Sequence, residues 1–211
     1  MSRYFKYNYL NPNNFGTRGK FFRHRGCKTD EHKHLKNLDN WESFSGQKGL
    51  WVLEESDFIS DGQLIIEDGQ TLCIAHGVTL TVYGHAAQGN TGLPTRLIVY
   101  PGGVLSIAGT VLCIPSVNNT AYNIVMLVGG CQIKKTGILE NYVNPNTQNI
   151  NTILFKNGTF LNEGLIINEG QLNLSPISGE PLVNNGHIDN TGSIVGNGTI
   201  DSTGGGTCTG C

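Results

Sequence analysis

Two stretches of this chain place a glycine at every sixth residue and an apolar residue two places after it. In NGTFLNEGLIINEGQLNL the glycines are Gly158, Gly164 and Gly170, followed at that offset by Phe160, Ile166 and Leu172. In NGHIDNTGSIVGNGTIDSTG they are Gly186, Gly192, Gly198 and Gly204, and the offset gives Ile188, Ile194 and Ile200. An apolar side chain every sixth position, between glycine and polar neighbours, describes a short strand, a turn and another short strand. One such unit cannot bury its apolar side alone, so it must stack on copies of itself. The two blocks start 28 residues apart, which is no multiple of six, and Pro176 and Pro181 mark the loop that interrupts the repeat.

Earlier segments follow a looser version of the scheme. Asp68 to Gly84 reads DGQTLCIAHGVTLTVYG, with Leu72, Ile74, Val78, Leu80 and Val82 on strand-like alternations. Pro101 to Ser116 reads PGGVLSIAGTVLCIPS, where Val104 or Leu105, Ile107, Val111 or Leu112, and Ile114 take the same places. Asparagine gathers at or near the turns (Asn157, Asn162, Asn168, Asn184, Asn185, Asn190, Asn197), where it tolerates left-handed backbone angles. In stacked coils it can also bond its counterpart one coil above, as in an amide ladder. Glycine supplies 29 residues and asparagine 23, so a mostly helical fold is excluded.

These residues resemble the right-handed parallel β-helix proteins, whose looser members read DGxTLxIxxGVTLTV and whose adhesin-type members read NxGxIxNxGxI. The resemblance covers roughly residues 60 to 205 and concerns an architecture. It implies an all-β, right-handed parallel β-helix (β-solenoid) of about six or seven short coils of about 20 residues each. Residues 1–50 then form a basic aromatic N-terminal arm and solenoid cap, 51–205 the body, and 206–211 a Gly/Cys tail. The regions His85 to Thr95 and Val117 to Asn123 read as excursions from the coil. Left-handed hexapeptide-repeat acyltransferases share the period of six, but they set an aliphatic residue before the small one, where this chain has mainly Asn, Glu and Thr. A β-sandwich or jelly roll is the non-repeating alternative.

Charge is divided along the chain. Residues 1–36 carry nine Lys and Arg and two acids, a balance of +7, and the remaining 175 residues carry five against fourteen, a balance of −9. With Tyr4, Phe5, Tyr7, Tyr9, Phe15, Phe21 and Phe22, the arm suits docking onto a negatively charged partner. Arg18, Lys20, Phe21, Phe22, Arg23 and Arg25 are the candidate anchoring residues. The reading favours a protein assembly over nucleic acid as that partner. A simple solubilising tail is the bland alternative.

Catalytic signatures are sparse. Most acids stand beside turn glycines, and the six-residue spacing of Glu163 and Glu169 puts them on successive sides of one coil. His24, Cys27, His32 and His34 fall within eleven residues but match no familiar metal site, so no metal or other cofactor is assigned. Cys208 and Cys211 are candidates for a disulfide within the tail or between subunits. Cys73 and Cys113 occupy the similar tripeptides Leu72-Cys73-Ile74 and Leu112-Cys113-Ile114, which allows either stacked neighbours or two cysteines that simply serve as small apolar core residues. No apolar run approaches the roughly 20 residues of a membrane span, and MSRYFKYNYLNPNN lacks the apolar stretch of a secretory signal, so a soluble chain is expected.

Uncharged Asn/Gly/Thr-rich solenoids of this style resemble minor capsid, cement or fibre proteins of large DNA viruses and phages. The resemblance implies a non-enzymatic structural protein of a virion, anchored by its arm to other capsid-type proteins and self-associating, a trimer being one form. A carbohydrate-binding or adhesin-like module at a cell surface, or a polysaccharide lyase or hydrolase, are the alternatives.

Overall fold

The computed structural model describes residues 49–53, 55–59, 64–84, 97–115, 123–144, 150–176 and 179–211. Among them are strands and turns and no helix. The strands in chain order are β1 (Gly49–Leu53), β2 (Asp57–Ile59), β3 (Leu64–Ile66), β4 (Gln70–Ile74), β5 (Thr79–Tyr83), β6 (Leu97–Val99) and β7 (Val104–Ile107). Next come β8 (Thr110–Ile114), β9 (Asn123–Leu127), β10 (Gly130–Ile133), β11 (Ile138–Asn141), β12 (Thr152–Phe155), β13 (Phe160–Asn162) and β14 (Leu165–Asn168). The last six are β15 (Gln171–Leu174), β16 (Leu182–Asn184), β17 (His187–Asn190), β18 (Ser193–Gly196), β19 (Ile200–Asp201) and β20 (Thr207–Thr209).

Every third strand joins the same sheet. The first sheet runs β1-β4-β7-β10-β13-β16-β19, the second β2-β5-β8-β11-β14-β17-β20 and the third β3-β6-β9-β12-β15-β18. All these pairings are parallel. Three parallel sheets visited in rotation is the connectivity of a β-solenoid, in which each coil lies about 4.8 Å from the next.

The hexad repeat now has a geometric meaning, because one period is one strand plus one turn. Phe160, Ile166 and Leu172 fall on β13, β14 and β15, one per sheet, and all three are buried. In the second block Ile188 is fully buried, and Ile194 and Ile200 pack against the same core. Strand register makes each a rung in a column. Trp51, Leu72, Leu105, Cys131, Phe160, Leu182 and Ile200 are successive partners in the first sheet. The second sheet aligns Leu80, Val111, Leu139, Ile166, Ile188 and Cys208, and the third Leu64, Leu97, Val125, Ile153, Leu172 and Ile194. Where the sequence left a choice, Leu105 and Val111 point inward.

The similar tripeptides around Cys73 and Cys113 are not stacked. Cys73 lies on the first sheet between Val52 and Ser106, and Cys113 on the second between Val82 and Asn141. A matching tripeptide reports strand alternation but not which side of the coil the strand occupies. Their phases differ too. In β4 the inward residues are Leu72 and Ile74, whereas in β8 they are Val111 and Cys113 itself.

The chain's last residues also join the stack, since Thr207–Thr209 pair with His187–Asp189. Cys208 and Cys211 are joined as a disulfide, with Cα atoms 5.8 Å apart. Among the described residues no helix is long and apolar enough to cross a membrane.

Candidate functional site

The anchoring residues expected from the sequence, Arg18, Lys20, Phe21, Phe22, Arg23 and Arg25, lie outside the described residues, as do His24, Cys27, His32 and His34. What the structure does place is a polar interior feature and an outer face.

The interior feature is a pair of asparagine ladders at the corners of the coil. At the end of the second-sheet strands one column reads Ile59, Val82, Cys113, Asn141, Asn168, Asn190. The matching column of the first sheet reads Leu53, Ile74, Ile107, Ile133, Asn162, Asn184. Each column changes from apolar side chains to amides partway along the stack. Asn141 Nδ2 donates to Asn168 Oδ1 at 2.8 Å, and Asn168 Nδ2 to Asn190 Oδ1 at 2.6 Å. Asn190 Nδ2 closes the series on the Gly210 carbonyl at 2.7 Å. In the other ladder Asn162 Nδ2 donates to Asn184 Oδ1 at 2.8 Å, and Asn184 Nδ2 to Ser202 Oγ at 3.1 Å.

Four of the five amides also donate to a carbonyl that begins a strand one coil further on: Gln171 for Asn141, Ser193 for Asn168, His187 for Asn162 and Thr207 for Asn184. Each of these carbonyls belongs to a residue paired in its sheet, so the side-chain bond is an additional tie between coils and supplies the buried amides with acceptors they would be costly without.

The outer face of the second sheet is unusual for a strand in contact with water. On β14 the inward residues are Ile166 and Asn168, and Leu165 and Ile167 point outward, partly exposed. Glu163 and Glu169 stand in the turns on either side. In register below are Ile138, facing Leu165, and Glu140, facing Ile167; above are His187 and Asp189. The Tyr142 hydroxyl donates to Glu140 Oε2 at 2.8 Å, and His187 Nδ1 lies 2.7 Å from Thr207 Oγ1. The sequence carried part of the signal for this face: in the run Leu165-Ile166-Ile167, once Ile166 faces the core by the hexad, its two apolar neighbours face away from it.

Glu163 and Glu169 stand on successive sides of one coil, before and after β14. Ile167 separates Glu140 from Asp189 in their shared column. The acids of this face are thus interleaved with apolar side chains and do not converge. Asp201, on β19, is held below the usual carboxylate range by hydrogen bonds from Thr203, whose backbone N–H donates to Oδ1 at 2.9 Å. Among the described residues no three of His, Cys, Asp and Glu are grouped to hold a metal ion.

No family model, curated protein or solved structure matches this chain.

Cys113 and Cys131 are free, buried thiols. Burial, with a further contribution from the Glu140 charge, pushes the Cys113 thiol pKa well up, and burial alone raises that of Cys131 to about 12. At pH 8 that leaves Cys131 with about a thousandfold less thiolate than an ordinary cysteine. Neither thiol is expected to react with iodoacetamide in the folded protein, and both should react in step with urea unfolding, as read by mass spectrometry of the labelled peptides. Alkylation of either in the native state would mean that the interior is open.

Proposed function

We propose that this chain is a non-enzymatic structural protein, a minor capsid, cement or fibre component of a virus particle. Its body is a right-handed β-solenoid of about seven coils, anchored to other capsid-type proteins by the basic N-terminal arm and self-associating. The observation that carries the proposal is the unbroken axial stacking. Core columns run from Trp51 to Ile200, and from Asn141 onward an amide ladder continues the bonding to Gly210. Such a body resists bending because each coil's backbone is bonded to both neighbours, and it offers flat faces for contact with other proteins. The handedness and the virion setting follow from the resemblance of the repeats, and the anchoring role follows from the +7 balance of residues 1–36.

The reading is tested on particles purified from the source of the chain. The protein should be recovered in them by mass spectrometry and released as salt is raised from about 0.1 to 0.5 M, where screening weakens charge contacts. A chain lacking residues 1–36 should be left out of the particles. Absence of the full chain from purified particles would overturn the structural role, and normal incorporation of the truncated chain would overturn the anchoring role.

A further inference from the structure

We infer that the outer face of the second sheet around β14 is the docking surface for residues 1–36 of a second copy of this chain. The inference rests on the structural reading above and names the contact by which copies join. The face has an apolar centre, Ile138, Leu165 and Ile167, bordered by Glu163, Glu169, Glu140 and Asp189. The cations nearest in sequence are Lys156, between β12 and β13, and Lys134 and Lys135, in the turn before β11; the Lys134 ammonium donates to Gln132 Oε1 at 2.7 Å. From residue 157 to the end the chain holds five acids and no Lys or Arg, so this part of the body is uniformly negative.

The occupant follows from complementarity. Residues 1–36 combine nine basic residues with seven aromatic ones, which is the composition that an acid-bordered apolar face would bind. A nucleic acid would be repelled by the same carboxylates. Each chain carries one such segment and one such face, so the contact is heterologous. Copies would join head to tail, closing into a ring or extending as a filament according to the rotation between them. Aromatic side chains of the arm would cover Leu165 and Ile167, and the basic residues would meet the surrounding acids.

The test uses two full-length variants. One carries Glu163→Gln, Glu169→Gln and Asp189→Asn on the face; the other carries Arg18→Glu, Lys20→Glu, Arg23→Glu and Arg25→Glu in the arm. A third variant, Ile167→Thr, removes apolar surface while keeping a good strand former. Circular dichroism and protection of Cys113 and Cys131 establish that each is folded. By light scattering the unmodified chain should self-associate, and each variant alone should do so about tenfold or more weakly. Mixing the face and arm variants should restore a 1:1 heterodimer, because one retains an intact arm and the other an intact face.

A mixture that stays monomeric would overturn the inference, since the arm would then lie on its own chain or dock elsewhere. Face variants that associate like the unmodified chain would do the same. Either result leaves particle association, the test of the structural role, standing on its own.

Discussion

Asn168→Asp is expected to destabilise the protein by about 4 kcal/mol at neutral pH, far more than its change of one atom would suggest. Asn168 is fully buried, and its amide nitrogen reaches Asn190 Oδ1 together with the Gly170 and Ser193 carbonyls. A carboxylate has no donor to offer. It would set an oxygen against those acceptors and bury a charge. Only the bond received from Asn141 Nδ2 would persist.

Asn168→Leu should cost less, about 2 kcal/mol, because the same column already accepts Val82 and Cys113 in earlier coils. The pH dependence separates the two variants. The buried carboxyl has its folded-state pKa raised above the unfolded value, so the protonated form, which can donate, is preferred in the native state. The deficit of the Asp variant is therefore smallest below about pH 4 and grows as pH rises through the folded-state pKa. The Leu variant shows no such trend. Urea midpoints followed by far-UV circular dichroism between pH 3.5 and 7.5 measure both. Equal destabilisation by the two substitutions would mean that the ladder amides are not bonded to one another.

The ladder also shows how far the sequence reaches. Asn162, Asn168, Asn184 and Asn190 stand out because each closes a hexad before a turn, and all four are ladder members. Asn157, Asn185 and Asn197 look the same in sequence, yet they are partly or fully exposed. Their difference is one of phase within the strand, since only the last inward-facing position meets its counterpart in the next coil. Asn141 belongs to the ladder but sits in ENYVNPN, outside any hexad, so no periodic signal marks it.

The core columns were legible wherever one apolar residue alternated with polar ones, as at Ile166 and Ile188. The outer apolar face is marked locally only by the run Leu165-Ile166-Ile167; that Ile138, Glu140 and Asp189 share it depends on strand register, which the run does not carry. The switch from apolar to amide corners, Cys113 to Asn141 in one column and Ile133 to Asn162 in the other, needs the register between strands 28 or 29 residues apart. Local periodicity carries no such information.

Gly164→Ala is expected to destabilise by about 4 kcal/mol, and its cause is proximity between coils rather than backbone angle. A Cβ at this position would stand 2.3 Å from both the Gly137 and Lys134 carbonyl oxygens and 3.0 Å from Ile133 Cγ2. Backbone atoms cannot rotate aside as a long side chain could. The turn must lift away from the coil below, which strains the Leu165 N–H to Gly137 C=O bond, now 3.0 Å. Overpacking of this kind costs about 1–3 kcal/mol, and the loss of a buried backbone bond adds about 1.

The effect spreads along the axis, because a Cβ on Gly186 would in turn lie 2.2 Å from the Gly164 oxygen and one on Gly137 only 2.0 Å from that of Ile107. These glycines form a column in which each coil rests directly on the one before. Gly77→Ala supplies the contrast. Gly77 has φ of +76°, but nothing lies within 4 Å of its missing Cβ. Alanine there meets only the left-handed backbone penalty, about 1 kcal/mol. Thermal or urea unfolding of the two variants should therefore rank Gly164→Ala well below Gly77→Ala. The opposite order would show that the turns are limited by conformation and not by contact between coils.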